Sequence, residues 1–389
     1  MISLFLNALS ASAGGGLTYV RNVAWQLAAR HDVQASLLLS PTIQDELGAL
    51  PNIRIVTQAE PAGPARRFLF EQRCLRGLIK ATGANVLISA GNFALRNAPV
   101  PQILLSRNAL YTSRDFYADL QKRGEYRLWL DTRAKGWLAR RSVKLANITV
   151  APSQAFADDL QRWTGKHVAA VHHGFDRDSF QSPADLTRRV WDQLSSTRRS
   201  LRLLFVSHYN YYRNFETLIR ATARMAQKLG RDRIKLFLTC TLKSEDNPGS
   251  YRAESAARLV QELDLQENIV QLGSVPYSQL HHVYRACDIY VTPSYCESFA
   301  HPLVEAMSCG LPIVASDLPV HREICKQSAI YFPRFSDEDL CERIMQLASS
   351  PERCRKLGTM GLKRASDFSW SRHVDQIVSL ASQLIAGPR

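Results

Sequence analysis

Apolar positions along the chain follow two alternating rhythms. Short runs rich in Val, Ile, Leu and Phe give way to longer stretches in which apolar residues recur every third or fourth position. The runs predict strands near 2–6, 33–39, 53–57, 85–89, 102–106, 147–151 and 168–172, then near 202–206, 234–239, 268–272, 288–292, 312–316 and 329–331. Strands separated by helical stretches imply parallel sheets covered by helices on both faces. The expected class is therefore α/β, with two open sheets.

At 389 residues the chain exceeds one ordinary core, and two domains are expected. Between the two sets of strands, residues 181–200 are polar, contain Pro183 and carry Thr-Arg-Arg twice, as an exposed hinge would. The expected organisation is an N-terminal domain at 1–180, a linker at 181–200 and a C-terminal domain at 201–389. Ligands of open α/β sheets bind at the carboxyl ends of the strands, so a cleft between two such domains is the expected site. With 46% hydrophobic residues and no apolar run of 18 or more, the composition is globular and offers no membrane span. The N-terminus lacks the basic stretch that opens a signal peptide, and Asn7 interrupts its apolar run, so it reads as a first buried strand. Eight cysteines without a C-x-x-C pair predict reduced thiols and a cytoplasmic protein.

One stretch concentrates the chemistry: Glu297-Ser-Phe-Ala-His-Pro-Leu-Val-Glu305-Ala-Met-Ser-Cys-Gly310-Leu-Pro312. Pro302 suits a first helical position, and Gly310 with Pro312 ends the helix two turns later. A helix start carries roughly half a positive charge, so the N–H groups of Leu303 and Val304 form a seat for phosphate oxygens. Glu297 before that seat and Glu305 inside the helix place acceptor groups on both sides of it, for sugar and ribose hydroxyls. A second feature is Gly14-Gly15-Gly16, between the first strand and the helical pattern Leu17, Val20, Val23, Ala24, Leu27. It is either a plain strand-to-helix turn or a loop whose glycines let the backbone approach a ligand. It matches neither G-x-G-x-x-G nor a P-loop.

The Glu297 to Glu305 spacing resembles the E-x7-E signature of the retaining glycosyltransferases of family 4, also called group 1. The likeness extends upstream over 273–294 and downstream over Pro312-Ile-Val-Ala-Ser-Asp317 and Phe368-Ser-Trp370, and includes 207–221 and 149–180. It implies the GT-B fold, two Rossmann-like domains with mostly parallel sheets facing each other across a cleft. It also implies that the N-terminal domain takes the acceptor, that the C-terminal domain takes a nucleotide-sugar donor, and that the last helix packs back toward the N-terminal domain. In this resemblance Glu305 holds the ribose. Glu297, Ser298 and the backbone at Phe299, Ala300 and His301 hold the sugar. Arg213, with the N–H groups of Leu303 and Val304, stabilises the diphosphate, and Gly15, Gly16 and Val275 line the donor site. His208 stands where the family has an arginine, and the glycines that often follow the first glutamate are here Ser298 and Ala300. The family's histidine after a first-domain strand is absent, leaving Arg107 and Asn108 as acceptor-side candidates. Tyr209, Tyr211 and Tyr212 either stack on the ligand or pack the loop.

Asp176-Arg-Asp178 and Asp337-Glu-Asp339 have the spelling of a metal-binding D-x-D. The first lies in the turn leaving the first domain and the second opens a helix with Asp337 as its cap, so no metal is expected. Of the charge of +14, much lies between 61 and 147, with sixteen Lys or Arg against five Asp or Glu. The stretches 66–80 and 114–144 mix these with large apolar residues, including Trp129, Leu130 and Trp137. Such helices either meet an anionic membrane or acceptor, or pack on their own sheet with solvated basic faces. No nucleic-acid motif accompanies the charge.

The resulting expectation is a metal-independent, retaining hexosyltransferase with no cofactor beyond its nucleotide diphosphate sugar donor. It would act on a glycan or lipid-linked acceptor in cell-surface polysaccharide or glycoconjugate biosynthesis, in the cytoplasm or at the inner face of the membrane. The alternative is a catalytically silent partner of a glycan-assembly complex that binds nucleotide sugar or a membrane surface.

Overall fold

The computed structural model describes residues 1–11, 14–40, 43–44, 47–57, 63–197, 199–249 and 251–387. The chain divides into two compact units. Met1–Thr112, Leu130–Gly174 and Ser369–Arg389 form the first; Ser113–Trp129 and Phe175–Phe368 form the second.

The first unit holds a seven-stranded sheet of β1 (Ile2–Asn7), β2 (Val33–Leu39), β3 (Ile53–Thr57), β4 (Val86–Ser89), β5 (Gln102–Leu105), β6 (Ile148–Ala151) and β7 (Ala169–Ala170). Its order is β3-β2-β1-β4-β5-β6-β7 and every neighbouring pair is parallel. The direction of winding reverses between β1 and β4, where Leu4 lies opposite Val86. Loops leaving the two strands diverge there and open a crevice. Leu4, Leu6, Val86 and Ile88 on one face pack with the helix Gly14–Ala28 and with Trp370, Val374, Ile377 and Val378 of the last helix, Trp370–Ala386. Phe5 and Leu87 on the other face meet Leu75 and Ile79 of the helix Pro64–Thr82.

The second unit repeats the plan with β8 (Leu201–Phe205), β9 (Ile234–Leu238), β10 (Ile269–Gln271), β11 (Ile289–Thr292), β12 (Ile313–Ser316) and β13 (Ala329–Phe332), in the order β10-β9-β8-β11-β12-β13. Again all pairs are parallel. Winding reverses between β8 and β11, with Tyr290 opposite Leu204. All thirteen expected strands are present; the central ones are aliphatic runs buried from both sides, whereas β3, β7 and β10 are largely half-buried.

The division of the chain differs from simple halves. The boundary falls after Gly174, and residues 181–200 belong to the second unit rather than forming an open linker. They contain the helix Arg188–Ser195, which is held by buried Val190 and Leu194. Residues 113–129 leave the first half of the sequence for the second unit. The last helix joins the first unit, because its apolar stripe matches the face of β1 and β4.

Candidate functional site

In the second unit, two loops leave the strands where the winding reverses. The loop after β8 ends in the turn Tyr211–Arg213, and Asn214, left-handed at φ 55°, leads into the helix Phe215–Leu229. The loop after β11 reaches Ala300 and enters the helix His301–Ser308. Side chains and backbone tie these loops together. The Tyr295 N–H donates to the Tyr212 carbonyl (2.9 Å), the Asn214 amide donates to the Pro293 carbonyl (3.2 Å), and the Arg213 guanidinium donates to the Ser294 hydroxyl (3.4 Å).

Arg213 and Glu297 form an ion pair whose side chains are only 19% and 8% exposed. Two largely desolvated groups of opposite sign satisfy each other here, and each can exchange its partner for a ligand that brings its own charge. The Nε–H of Arg213 is buried without an acceptor, which leaves a donor over. His208, on the same loop, has its pKa lowered first by loss of water and second by the charge of Arg213, so the imidazole is neutral at pH 7. The departure from the family's arginine therefore replaces a cation with an uncharged ring.

Glu305 is 6% exposed and accepts from the Tyr284 hydroxyl at 2.8 Å. Burial pushes its carboxyl up to about 7, against the opposing effect of that hydrogen bond. Phe299 is buried, with its ring 4.8 Å from that of His301 and 5.6 Å from that of Phe368. Ser298 and Val275 are half-buried. The helix begins one residue earlier than Pro302, because Ala300 is left-handed (φ 66°, ψ 66°) and its carbonyl accepts the Leu303 N–H at 3.1 Å. Both N–H groups expected to seat a phosphate, at Leu303 and at Val304, are thus spent on the first turn.

Two of the three loop tyrosines pack. Tyr209 is fully buried with its ring 5.0 Å from Phe215, and Tyr211 is 2% exposed with its ring 5.0 Å from Tyr251. Tyr212 is half-buried under the Arg213 guanidinium, 5.2 Å from the ring centroid.

The first unit holds the remaining candidates. Gly14, Gly15 and Gly16 form the first turn of the helix Gly14–Ala28 rather than a loop, and nothing lies within 4 Å of where a side chain at Gly15 would begin. Glycines in a helical turn cost roughly 1 kcal/mol each relative to alanine, and the unit's own packing does not require the one at Gly15. Arg107 is committed: it donates to the Ala90 carbonyl (2.6 Å) and lies 4.9 Å from the Tyr19 ring centroid. The Asn108 side chain caps the short turn Ala109–Tyr111 by accepting the Leu110 N–H at 3.1 Å, so its oxygen is taken.

Asp176, Asp337 and Asp339 of the D-x-D sequences have local partners, Asp339 accepting from the Ser336 hydroxyl at 2.6 Å. Asp176 caps the helix Arg177–Phe180, and Asp337 pairs with Arg224. The cap of the helix Asp337–Ala348 is Ser336, not Asp337. Among the described residues no group of His, Cys, Asp and Glu is arranged to hold a metal ion. His281, on the helix Tyr277–Ala286, is 3% exposed and lies beside His282. Tyr284, Ser294 and Tyr295 are the site residues that sequence reasoning missed.

Residues 13–179 match the family model described as Glycosyltransferase Family 4, and residues 192–364 match that of Glycosyl transferases group 1. Side by side, the two models account for most of the chain, which belongs to this glycosyltransferase family. Over 218 residues it is 26% identical to D-inositol 3-phosphate glycosyltransferase of Nocardia farcinica, covering 53% of this chain and 48% of that protein. To the protein of the same description from Streptomyces bingchenggensis it is 25% identical over 253 residues, covering 64% of this chain and 55% of the relative. The chain thus spans about half the length of the curated relatives it matches. Among solved structures, sucrose-phosphate synthase from Thermosynechococcus elongatus superposes with a TM-score of 0.76 at 20% identity, covering 99% of this chain and 100% of that one. Anabaena HepE, solved in complex with UDP-glucose, gives 0.71 at 16% identity, covering 98% and 100%. These likenesses establish the fold as GT-B.

Proposed function

We propose that the chain transfers a sugar from a nucleotide diphosphate sugar to a glycan or lipid-linked acceptor, with retention of configuration and without a metal. The Arg213–Glu297 pair, at the point where the second sheet reverses its winding, carries this reading. An arriving diphosphate competes with Glu297 for the guanidinium, and charge-assisted bonds from arginine to phosphate are among the stronger ones. Glu297, released, accepts from sugar hydroxyls, with Ser298 and the backbone of Phe299, Ala300 and His301 beside it. As the bond between the anomeric carbon and the diphosphate breaks, Arg213 stabilises the charge on the leaving group at the positive end of the helix His301–Ser308, whose Val304 N–H is itself spent on the first helical turn. His208 contributes a neutral donor. Glu305 in its carboxylate form accepts from the ribose hydroxyls, and Val275 lies against the base. Gly15 and Gly16 are kept as donor-site glycines of the first unit; Arg107 and Asn108, both committed to local hydrogen bonds, are left out. Retention of configuration rests on the family to which the chain belongs.

The test is thermal stabilisation by UDP, GDP, ADP and dTDP with and without Mg²⁺, UDP being the first choice because HepE was solved with UDP-glucose. A ligand at one hundred times its Kd adds about 2.7 kcal/mol to stability. One nucleotide should raise the Tm of the parent without Mg²⁺, and Arg213→Ala should abolish the shift. No shift in the parent with any nucleotide would overturn the assignment. A shift without nucleotide release from any donor sugar would move the chain to the class of silent partners.

A further inference from the structure

The helix Tyr126–Leu145 is turned the wrong way round for one that packs only on its own sheet. Its buried positions are Thr132, Gly136, Ala139, Ser142 and Val143, all small or β-branched, whereas Leu130 and Trp137 are 62% and 61% exposed. At 3.6 residues per turn, Leu130, Arg133, Trp137, Arg140, Arg141 and Lys144 fall within one stripe roughly 100° wide. The helix's one carboxylate, Asp131, lies off that stripe and is paired with Lys135 at 2.6 Å. The Arg141 guanidinium sits 5.7 Å from the Trp137 ring centroid. Small residues turned inward and large apolar residues turned outward make a poor core but a good contact surface.

The stripe has company. Right-handed crossovers put the helices of β3-to-β4 and β5-to-β6 on the same face of the first sheet. The helix Pro64–Thr82 therefore lies on that face too, and it exposes Arg66, Leu69, Arg73 and Lys80. An occupant of this face must accept a tryptophan and leucines while offering negative charge. A second copy of a chain with a net charge of +14 would bring like charges together. A bilayer with anionic headgroups meets both demands: tryptophan favours the headgroup boundary, and arginine stems cover apolar surface while their heads reach phosphate.

We propose that this face of the first unit docks on an anionic lipid bilayer, with Trp137 and Leu130 entering the headgroup boundary and Arg140, Arg141 and Lys144 holding lipid phosphates. The helix would lie on the membrane; no described helix is long and apolar enough to cross one. Docking stands whether or not the chain transfers sugar.

The full chain is sedimented with vesicles of phosphatidylcholine, with and without phosphatidylglycerol, at low and high salt. Binding is expected only with the anionic lipid and is lost at high salt. At roughly fivefold per arginine, the double variant Arg140→Ser with Arg141→Ser binds about 30-fold more weakly. Trp137→Ser loses about tenfold, and the double variant Arg140→Lys with Arg141→Lys keeps its binding. These side chains are exposed, so unchanged thermal melting of each variant separates lost docking from lost folding. Equal binding to neutral vesicles, or variants that bind like the parent, would overturn the proposal. So would binding of single-stranded RNA with this variant dependence but no binding to vesicles, or a dimer in sedimentation velocity that Trp137→Ser dissociates.

Discussion

Glu305 is a carboxyl whose chemistry is set by burial. Its pKa of about 7 stands well above the ordinary value of 4.5, so the folded chain keeps a proton there that the unfolded chain has lost. The sign follows from linkage. Any stability held by the protonated form is fully present below pH 4.5 and is lost as pH rises through about 7. The loss amounts to about 3 kcal/mol on the alkaline side. Glu305→Gln keeps the size and an oxygen for the Tyr284 hydroxyl but has no proton to lose. Its stability relative to the parent should therefore improve by about 3 kcal/mol between acid pH and about pH 8, measured by urea unfolding along a pH series. A constant difference would mean that the group ionises as an exposed glutamate does. In the proposed donor site the same titration makes nucleotide affinity rise through neutrality, since two ribose hydroxyls need an acceptor that carries no proton.

At the scale of elements, the segment Ser113–Trp129 acts within the second unit as a strap across both site loops. Tyr295, two residues before Glu297, donates its hydroxyl to Asp119 at 2.6 Å. Arg123 bonds Asp119 (2.9 Å) and Glu216 (2.8 Å) and lies 4.4 Å from the ring centroid of Tyr211, whose hydroxyl donates to Glu125 at 2.8 Å. Tyr295→Phe should cost about 1.5 kcal/mol, as for a hydrogen bond to a charged group, and should also weaken nucleotide binding. Arg334→Ala, which removes the more exposed pair with Asp115, should cost less than about 0.5 kcal/mol. Denaturant titration with calorimetric nucleotide binding distinguishes the two, and unchanged affinity in Tyr295→Phe would reduce the strap to a structural brace. The sequence pattern gives 114–144 as one basic amphipathic stretch, which the structure breaks into Arg114–Lys122, capped by Ser113 with Phe116 and Leu120 buried, and Tyr126–Leu145; amphipathicity names a buried face and not the sheet it covers. Tyr284 was hidden for a related reason, since a tyrosine beside Leu280 and Val283 reads as core. The strands were legible because run length is a local signal, whereas the pairing of Arg213 with Glu297 joins two loops far apart in the sequence and has no local signature. The loss of the Leu303 N–H depends on the left-handed Ala300, which the sequence does not announce.

For the whole molecule, the route of the chain matters more than the count of its sheets. The chain passes between the units four times, at 112/113, 129/130, 174/175 and 368/369, so no single cut separates them. The last pass returns the helix Trp370–Ala386 to close one face of the first sheet. Trp370, Val374, Ile377, Val378 and Ala381 are each at most 5% exposed, and His373 accepts from the buried Tyr19 hydroxyl at 3.0 Å while its own Nδ1–H donates to the His172 carbonyl at 2.8 Å. Burial holds that imidazole's pKa near 4, so it stays neutral and fixed in this tautomer at physiological pH. Burying a large apolar side chain is worth about 1.5–3 kcal/mol. Losing four such residues therefore removes on the order of 10 kcal/mol, comparable to the whole stability of an ordinary domain. A fragment of residues 1–180 should then lack a cooperative thermal transition. Gly174 lies so close to the Trp370 backbone that any side chain there would collide with it, which means that the two ends to be joined are adjacent. Residues 1–174 connected by a short Gly/Ser linker to residues 369–387 should therefore regain a cooperative transition, read by circular dichroism. If residues 1–180 alone melt as sharply as the joined fragment, the last helix is an ornament of the first unit and not part of its core.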